Sequence, residues 1–364
     1  MQRTLIVNAL ASEAPQRQIT VCGWIRTRRD AKDFSFVEIN DGSCLTNMQC
    51  IVDAGTAAHE GLGDANTGAS VAVTGELVAS PGKGQKWEVR AESIRVFGLA
   101  DPESFPLQKK RHSVEYLREI AYLRPRTRLF QAVFRVRSVA SMAIHTYFQD
   151  RGYLYVHTPL ITANDAEGAG NTFTVTTLPP SEQKDGSNDF FGKPTSLAVT
   201  GQLEAETFAM AFSKVYTFGP TFRAENSNTK THAAEFWMIE PEIAFCDIHQ
   251  LMDIEEDFLK YLVKTVLEKC SDELEFLDKF TGGGLQDKLN HLAVTGAARI
   301  PHEEAITILR KVKDRFQFEP KYGEDTAKEH EKYLTEEYFH SPVFVYDWPK
   351  DIKAFYMYQN DDGK

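Results

Sequence analysis

Short alternating runs dominate the first hundred residues. QITVCGWIRTRRD, FSFVEIND, NMQCIVD, SVAVTGELVAS and KWEVRAESIRVFG are rich in Val, Ile and aromatics and are separated by Asp-Gly, Pro-Gly and Gly-Gln punctuation, which predicts five strands. Five strands of this length suit a small closed barrel of the oligonucleotide-binding type over residues 1–100. Period-2 alternation puts Phe34, Phe36 and Glu38 on one face of the second strand, and Trp24, Arg26 and Arg28 on one face of the first. Aromatic rings beside guanidinium groups make a stacking platform for splayed bases with charge at hand for phosphates. The same rings serve equally well as barrel core, and the RTRR cluster at 26–29 as a solvated edge.

Residues 101–127 read as a connector, with a basic cluster from Lys109 to His112 and a helix-unfriendly Arg124-Pro125-Arg126 at its end. From Leu129 apolar residues recur at 129, 133, 136, 140, 143 and 147, which predicts a long helix with one packed face, ending at Gly152. A strand, Tyr153 to His157, follows and runs into Pro159. VYTFGPTFRAE and EFWMIEPEIAF then predict a pair of strands with a polar loop, Asn226 to Ala234, at the tip. Tyr216, Phe218 and Phe222 fall on one face, and Thr217, Thr221, Arg223 and Glu225 on the other. In the second strand Trp237, Ile239 and Ile243 oppose Phe236, Met238, Glu240 and Glu242. Helical periodicity returns from about 247 to 340, interrupted at Thr281 to Gly284, and KAFYM at 353–357 reads as a further strand.

Composition changes this picture little. A chain of 364 residues with 42% hydrophobic residues can bury two or three domains' worth of core. No apolar run is long enough to cross a membrane and MQRTLIVNALASEAP lacks the pattern of a signal peptide, so the cytoplasm is the expected location. The five cysteines lack paired spacing and read as reduced and structural. The net charge of −11 is unevenly spread: residues 1–127 carry +1 and the rest −12. That argues against indiscriminate polyanion binding but leaves room for a local basic surface that steers one nucleic acid.

The chemistry lies on the predicted hairpin. If its strands pair, Arg223 shares a surface with Phe236 and two carboxylates. A guanidinium fork beside an aromatic slab suits a nucleoside triphosphate, the fork taking phosphate oxygens and the slab the purine. A surface salt-bridge ladder would account for an Arg-Glu pair but not for the aromatic left beside it.

GPTFRAEN followed by AEFWMIEPE resembles the second signature motif of class II aminoacyl-tRNA synthetases, and the long helix plus YLYVHTPL resembles the first. ITANDAEGAG, TGQLEAETFAMAFSKVYTFGPTFRAENSNT and the front barrel with GWIRTRRD are similar, almost from end to end, to asparaginyl-tRNA synthetases. The resemblance implies an α+β fold: an N-terminal five-stranded barrel that binds the anticodon, a hinge at 101–127, and a catalytic domain at 128–364 built on an antiparallel sheet flanked by helices, with a helical insertion at about 247–340. It implies activation of asparagine by ATP with Mg²⁺, then transfer to tRNA(Asn), in a homodimer formed through the long helix. Arg223 would hold the α-phosphate and the amino-acid carboxylate, Glu225 the adenine end of ATP, Phe236 the purine face and His232 the outer phosphates. Glu167 and Gln202 would accept the α-amino group. Ala205 stands where aspartyl relatives carry a side-chain-binding lysine, and Glu240 would accept from the substrate's amide nitrogen or serve a structural role. In the barrel, Phe36 would stack an anticodon base, with Arg26, Arg28 and Gln49 nearby and Glu88 reading a neighbouring base edge.

The family pattern continues past Lys364 into a magnesium-binding acid, a substrate-side arginine and the third motif, so the metal-binding residues are expected beyond this sequence. The expectation is therefore a piece of a longer asparagine-tRNA ligase. The alternatives are a non-catalytic tRNA-binding or regulatory synthetase fragment, and a nondiscriminating aspartyl-tRNA synthetase.

Overall fold

In the computed structural model the described residues are 2–82, 84–101, 103–108, 110, 112–164, 172–179, 181–183, 186–226 and 232–364. They form two compact units, Met1–Ser138 with Cys270–Leu285, and Val139–Lys269 with Gln286–Lys364.

The five predicted strands of the first unit form β1 (Gln16–Asp30), β2 (Phe34–Asn40), β3 (Met48–Asp53), β4 (Ser70–Ala79) and β5 (Trp87–Gly98), closed in the order β1-β2-β3-β5-β4. Alternation drives closure: Val21, Ile25, Val37, Ile39, Met48, Cys50, Val73 and Val89 all point inward and are buried. Full closure leaves the barrel without a free edge to aggregate. Burial pushes the Cys50 thiol up, and none of the five cysteines forms a disulfide.

Among the barrel's register changes, the one in the β1–β2 pair moves the residues that matter most. In the β1–β2 pair Ile25 faces Ile39, but Thr27 faces Glu38, so Arg26 is an extra residue. A bulge of this kind turns every following side chain to the opposite face. Arg28 therefore pairs with the inward Val37, and Arg29 with Phe36.

In the second unit a three-stranded sheet has the order β11-β10-β6, where β6 is Leu154–Tyr155, β10 Lys214–Phe222 and β11 Glu235–Ile243. The β10–β11 hairpin is antiparallel and runs without slippage from Lys214↔Ile243 to Phe222↔Glu235. Its apolar face packs against the helix Arg128–Asp150 through Tyr147, Phe148, Tyr216 and Phe218, with the Phe148 and Tyr216 rings stacked at 4.6 Å. Gly152, at φ +78°, supplies the left-handed turn that ends this helix and returns the chain to β6. Val133, expected on the packed face, is exposed together with Phe134 and Met142. A small second sheet joins β7 (Ile161–Thr162), β8 (Thr174–Val175) and β9 (Thr195–Leu197) in the order β7-β9-β8 and leads into the helix Gln202–Phe212.

Two expectations need correction. The stretch from 247 to 340 is not purely helical: β12 (Ala298–Pro301) pairs in parallel with β13 (Val343–Tyr346), and the helix His302–Arg310 packs there through Ile306 and Leu309. Four-residue strands are too short to register against helical periodicity. KAFYM is not a strand; residues 353–357 form turns, with Phe355 88% exposed. None of them pairs with any described strand, and alternation without a partner does not hold an extended backbone.

Candidate active site and base-stacking face

The hairpin presents the two faces that its alternation predicts. Thr217 and Glu240 are directly opposite each other on the polar face, and Thr221 is opposite Phe236. Beyond the last strand pair the Arg223 amide donates to the Ala234 carbonyl at 3.0 Å, so the ladder fixes the backbone of Arg223 as well. The Arg223 guanidinium lies 5.6 Å from the centre of the Phe236 ring. Fork and slab are thus on one surface, the arrangement a nucleoside triphosphate requires. Glu225 and His232 are exposed at the two ends of the tip, on either side of residues 227–231. Glu167 lies outside the described residues.

Glu240 is the best-anchored acid of the site. It is 9% exposed, and its carboxylate accepts from the Thr217 hydroxyl at 2.9 Å, from the Gly201 amide at 3.1 and 3.2 Å, and from the Thr200 hydroxyl. The Thr200 hydroxyl oxygen in turn accepts from the Gln202 amide at 3.1 Å, at the start of the helix Gln202–Phe212. Glu240 therefore clamps the turn that delivers Gln202 onto the hairpin. Gly201 is the residue this approach requires: a Cβ there would lie 2.6 Å from the Thr158 hydroxyl and 3.2 Å from that of Thr217. With three donors already served, Glu240 is a positioning residue rather than a free acceptor for substrate, a distinction the sequence left open. A cavity of about 260 Å³ opens beside it, lined by Thr200, Gly201, Thr217, Thr221, Trp237 and Glu240 among others.

Gln202 donates its side-chain amide to Glu206 at 3.0 Å. Ala205, on the same helix, is fully buried against Val156, Ala209 and Val215, so it packs the helix onto the sheet and does not open onto the cavity. Glu242 was not singled out as a binding residue. Its carboxyl is pushed up to about 7, first by burial and then by Glu206 and Glu240. Because the folded protein holds this proton up to about pH 7 while an unfolded chain loses it near 4.5, stability should fall as pH rises through that window and level off above it. Glu242→Gln should flatten the decline, by about 1 to 2 kcal/mol after allowing for partial solvation. Thermal melting of both proteins between pH 5 and pH 8 checks this, and parallel curves would refute it.

No group of three or more His, Cys, Asp or Glu side chains suited to a metal ion occurs among the described residues. Glu240 is occupied by its hydrogen-bond donors, which leaves it no free oxygen to offer Mg²⁺ as it stands.

On the barrel the bulge redistributes the expected residues. Phe36 stands half-buried on the outer face, edge-on to Phe34 at 4.9 Å, with the Arg29 guanidinium 4.8 Å from its ring centre. Arg29 thus takes the place expected for Arg28. Arg28 turns inward, bonding the Gly63 and Ala65 carbonyls at 2.6 and 2.9 Å and Asp30 at 2.9 Å. Arg26 turns to the connector, where it donates to the Arg126 carbonyl. Gln49 shares the outer face, opposite Glu38, and donates to Glu88 at 3.1 Å. Glu88 is buried and also accepts from Ser80 at 2.7 Å and Gln85 at 3.2 Å, so it orients Gln49 more than it offers itself to a base.

Comparison with known proteins accords with this geometry. Residues 19–97 match the OB-fold nucleic acid binding domain. An asparagine-tRNA ligase of Nitratidesulfovibrio vulgaris (strain DP4) is 55% identical over 370 aligned positions, covering 100% of this chain and 80% of the relative. One from Acholeplasma laidlawii is 53% identical, covering 96% of this chain and 77% of its own. The crystal structure of asparaginyl-tRNA synthetase from Pyrococcus horikoshii complexed with asparaginyl-adenylate superimposes with a TM-score of 0.85 at 26% identity, covering 100% of this chain and 78% of that one. Residues 113–364 match the tRNA synthetases class II (D, K and N), and the chain belongs to that family.

Proposed function

We propose that the chain is an asparagine-tRNA ligase, in which the β10–β11 hairpin activates asparagine with ATP and the barrel holds tRNA(Asn). The observation that carries the catalytic part is the Arg223 guanidinium beside the Phe236 ring on a hairpin whose register is continuous. In the first step an asparagine carboxylate oxygen attacks the α-phosphorus in line. An O–P bond forms, the bond from the α-phosphorus to the bridging oxygen breaks, and pyrophosphate leaves. Arg223 bridges carboxylate and α-phosphate, aligning the attack and neutralising charge that grows on the phosphoryl oxygens. Phe236 stacks on adenine, Glu225 meets its edge, His232 the outer phosphates, and Gln202 the α-amino group, with Glu167 beside it. In the second step a terminal ribose hydroxyl of tRNA attacks the acyl carbon and AMP departs.

For the choice of asparagine over aspartate, the sequence supports the reading only in that position 205 carries no cation that could reward a carboxylate, since Ala205 itself packs into the core. On the barrel, Phe36 stacks an anticodon base, Arg29 adds its charge beside the ring, and Gln49, held by Glu88, reads an edge. The exposed Val133, Phe134 and Met142 of the helix Arg128–Asp150 support a homodimer, since a surface of this character is covered in a stable assembly.

The division of labour is testable in the natural polypeptide that carries this sequence. Phe36→Ala should weaken charging of tRNA(Asn) by about 1 to 3 kcal/mol through lost stacking and leave asparagine-dependent pyrophosphate exchange intact. Arg29→Ala should lower charging in the same direction by less, and Arg28→Ala should instead lower the melting temperature. Charging unaffected by Phe36→Ala would make Phe36 a packing residue.

A further inference from the structure

The first unit holds a cavity of about 640 Å³ that the catalytic reading leaves unused. Its wall combines cations with aromatic rings. Arg26, Lys110, Arg126 and Arg128 line it together with His112, as do Phe105, Phe276 and Phe280. None of the lining residues among those described is acidic, in a chain whose net charge is −11. A chance sample of this surface would be expected to include carboxylates.

The cations also lack close ion pairs, with Glu38 acting on Arg26 and Glu275 on Arg128 only at longer range. None of the four has an ion-pair partner among the described residues. Arg126 instead lies 5.3 Å from the ring centres of Trp24 and Phe105, and Arg128 4.8 Å from that of Phe276. Arg26, turned here by the bulge in β1, donates to the Arg126 carbonyl. Burial, then the neighbouring Arg126 charge, holds the Arg26 guanidinium below its ordinary value. Glu38 offsets this only in part, and two partly buried like charges side by side gain stability from an anion placed between them. His112 is already engaged, stacked on Tyr116 at 5.3 Å and bonded to the Gln108 carbonyl at 3.2 Å.

We infer that this cavity binds a small anion bearing an aromatic ring, of the class of nucleoside mono- and diphosphates, at a site distinct from the hairpin. Phosphate oxygens would take the Arg26, Arg126 and Lys110 donors, and the base would enter among Phe105, Phe276 and Phe280. The volume is within the range of small-ligand pockets, roughly 300 to 1,000 Å³. The inference rests on this cavity alone and stands or falls independently of the catalytic assignment.

Calorimetric titration of the full chain with AMP tests it, with inorganic phosphate as the comparison. Wild type should bind AMP at the cavity more tightly than inorganic phosphate. Lys110→Gln, at an exposed position that folding does not need, should weaken that binding severalfold, and Lys110→Gln with Arg126→Gln by tenfold or more. Neither variant should change asparagine-dependent exchange, whereas Arg223→Lys should leave this AMP site intact. AMP binding that both variants leave unchanged would overturn the inference. AMP bound no tighter than phosphate would refute the aromatic half. Loss of tRNA binding in the double variant, without any AMP site in wild type, would replace the nucleotide with an RNA backbone and equally overturn it.

Discussion

Replacing Arg223 with lysine should lower asparagine-dependent pyrophosphate exchange by about 30- to 1,000-fold, the equivalent of about 2 to 4 kcal/mol of transition-state stabilisation, while the melting temperature hardly moves. Lysine keeps the charge but not the planar fork, and one ammonium cannot bridge carboxylate and phosphate in the geometry of in-line attack. The fold should tolerate the change because the backbone of Arg223 is pinned through its amide to the Ala234 carbonyl, a bond the side chain does not make. Exchange near the wild-type rate in this variant would remove Arg223 from the chemistry.

The largest loss of stability should come from Glu240→Ala. It strips the acceptor from two hydroxyls, Thr200 and Thr217, and from the Gly201 amide, all buried. At roughly 1 kcal/mol or more for each donor left unsatisfied, the expected cost is about 3 to 4 kcal/mol. That corresponds to a fall in melting temperature of about 10 °C for a domain of this size. Activity should fall with it, because the turn that delivers Gln202 loses its anchor. Glu240→Gln separates this role from substrate recognition. The amide restores one acceptor but sets an N–H₂ group against a donor, so melting should fall by about half as much while the preference for asparagine over aspartate stays. A variant that melts normally but loses the preference would show instead that Glu240 reads the substrate.

The hairpin was legible because both of its strands alternate without interruption, so period 2 alone places Arg223, Phe236, Glu240 and Thr217 on one side. The barrel was equally plain in its five runs, but the face on which its arginines lie was not. A bulge at Arg26 leaves no mark in composition, and one extra residue exchanges the positions of Arg28 and Arg29 relative to Phe36. Glu240's role depended on Thr200 and Gly201, 40 and 39 positions upstream, a pairing no local pattern encodes. Ala205 looked like a pocket residue because of the residue that relatives carry there, yet the helix turns its methyl into the packing against Val215. The β12–β13 pair was hidden for a related reason: its two strands lie more than forty residues apart, with helices between them.

The central claim is that this hairpin activates asparagine. Pyrophosphate exchange into ATP, measured side by side with asparagine and with aspartate on the natural polypeptide, tests it most directly. The account predicts exchange with asparagine and a rate with aspartate lower by on the order of a hundredfold or more, since a site that hydrogen-bonds an amide leaves polar groups unpaired against a carboxylate. Equal rates with the two amino acids would contradict the assigned specificity, and tRNA binding without exchange from either would contradict the activity itself.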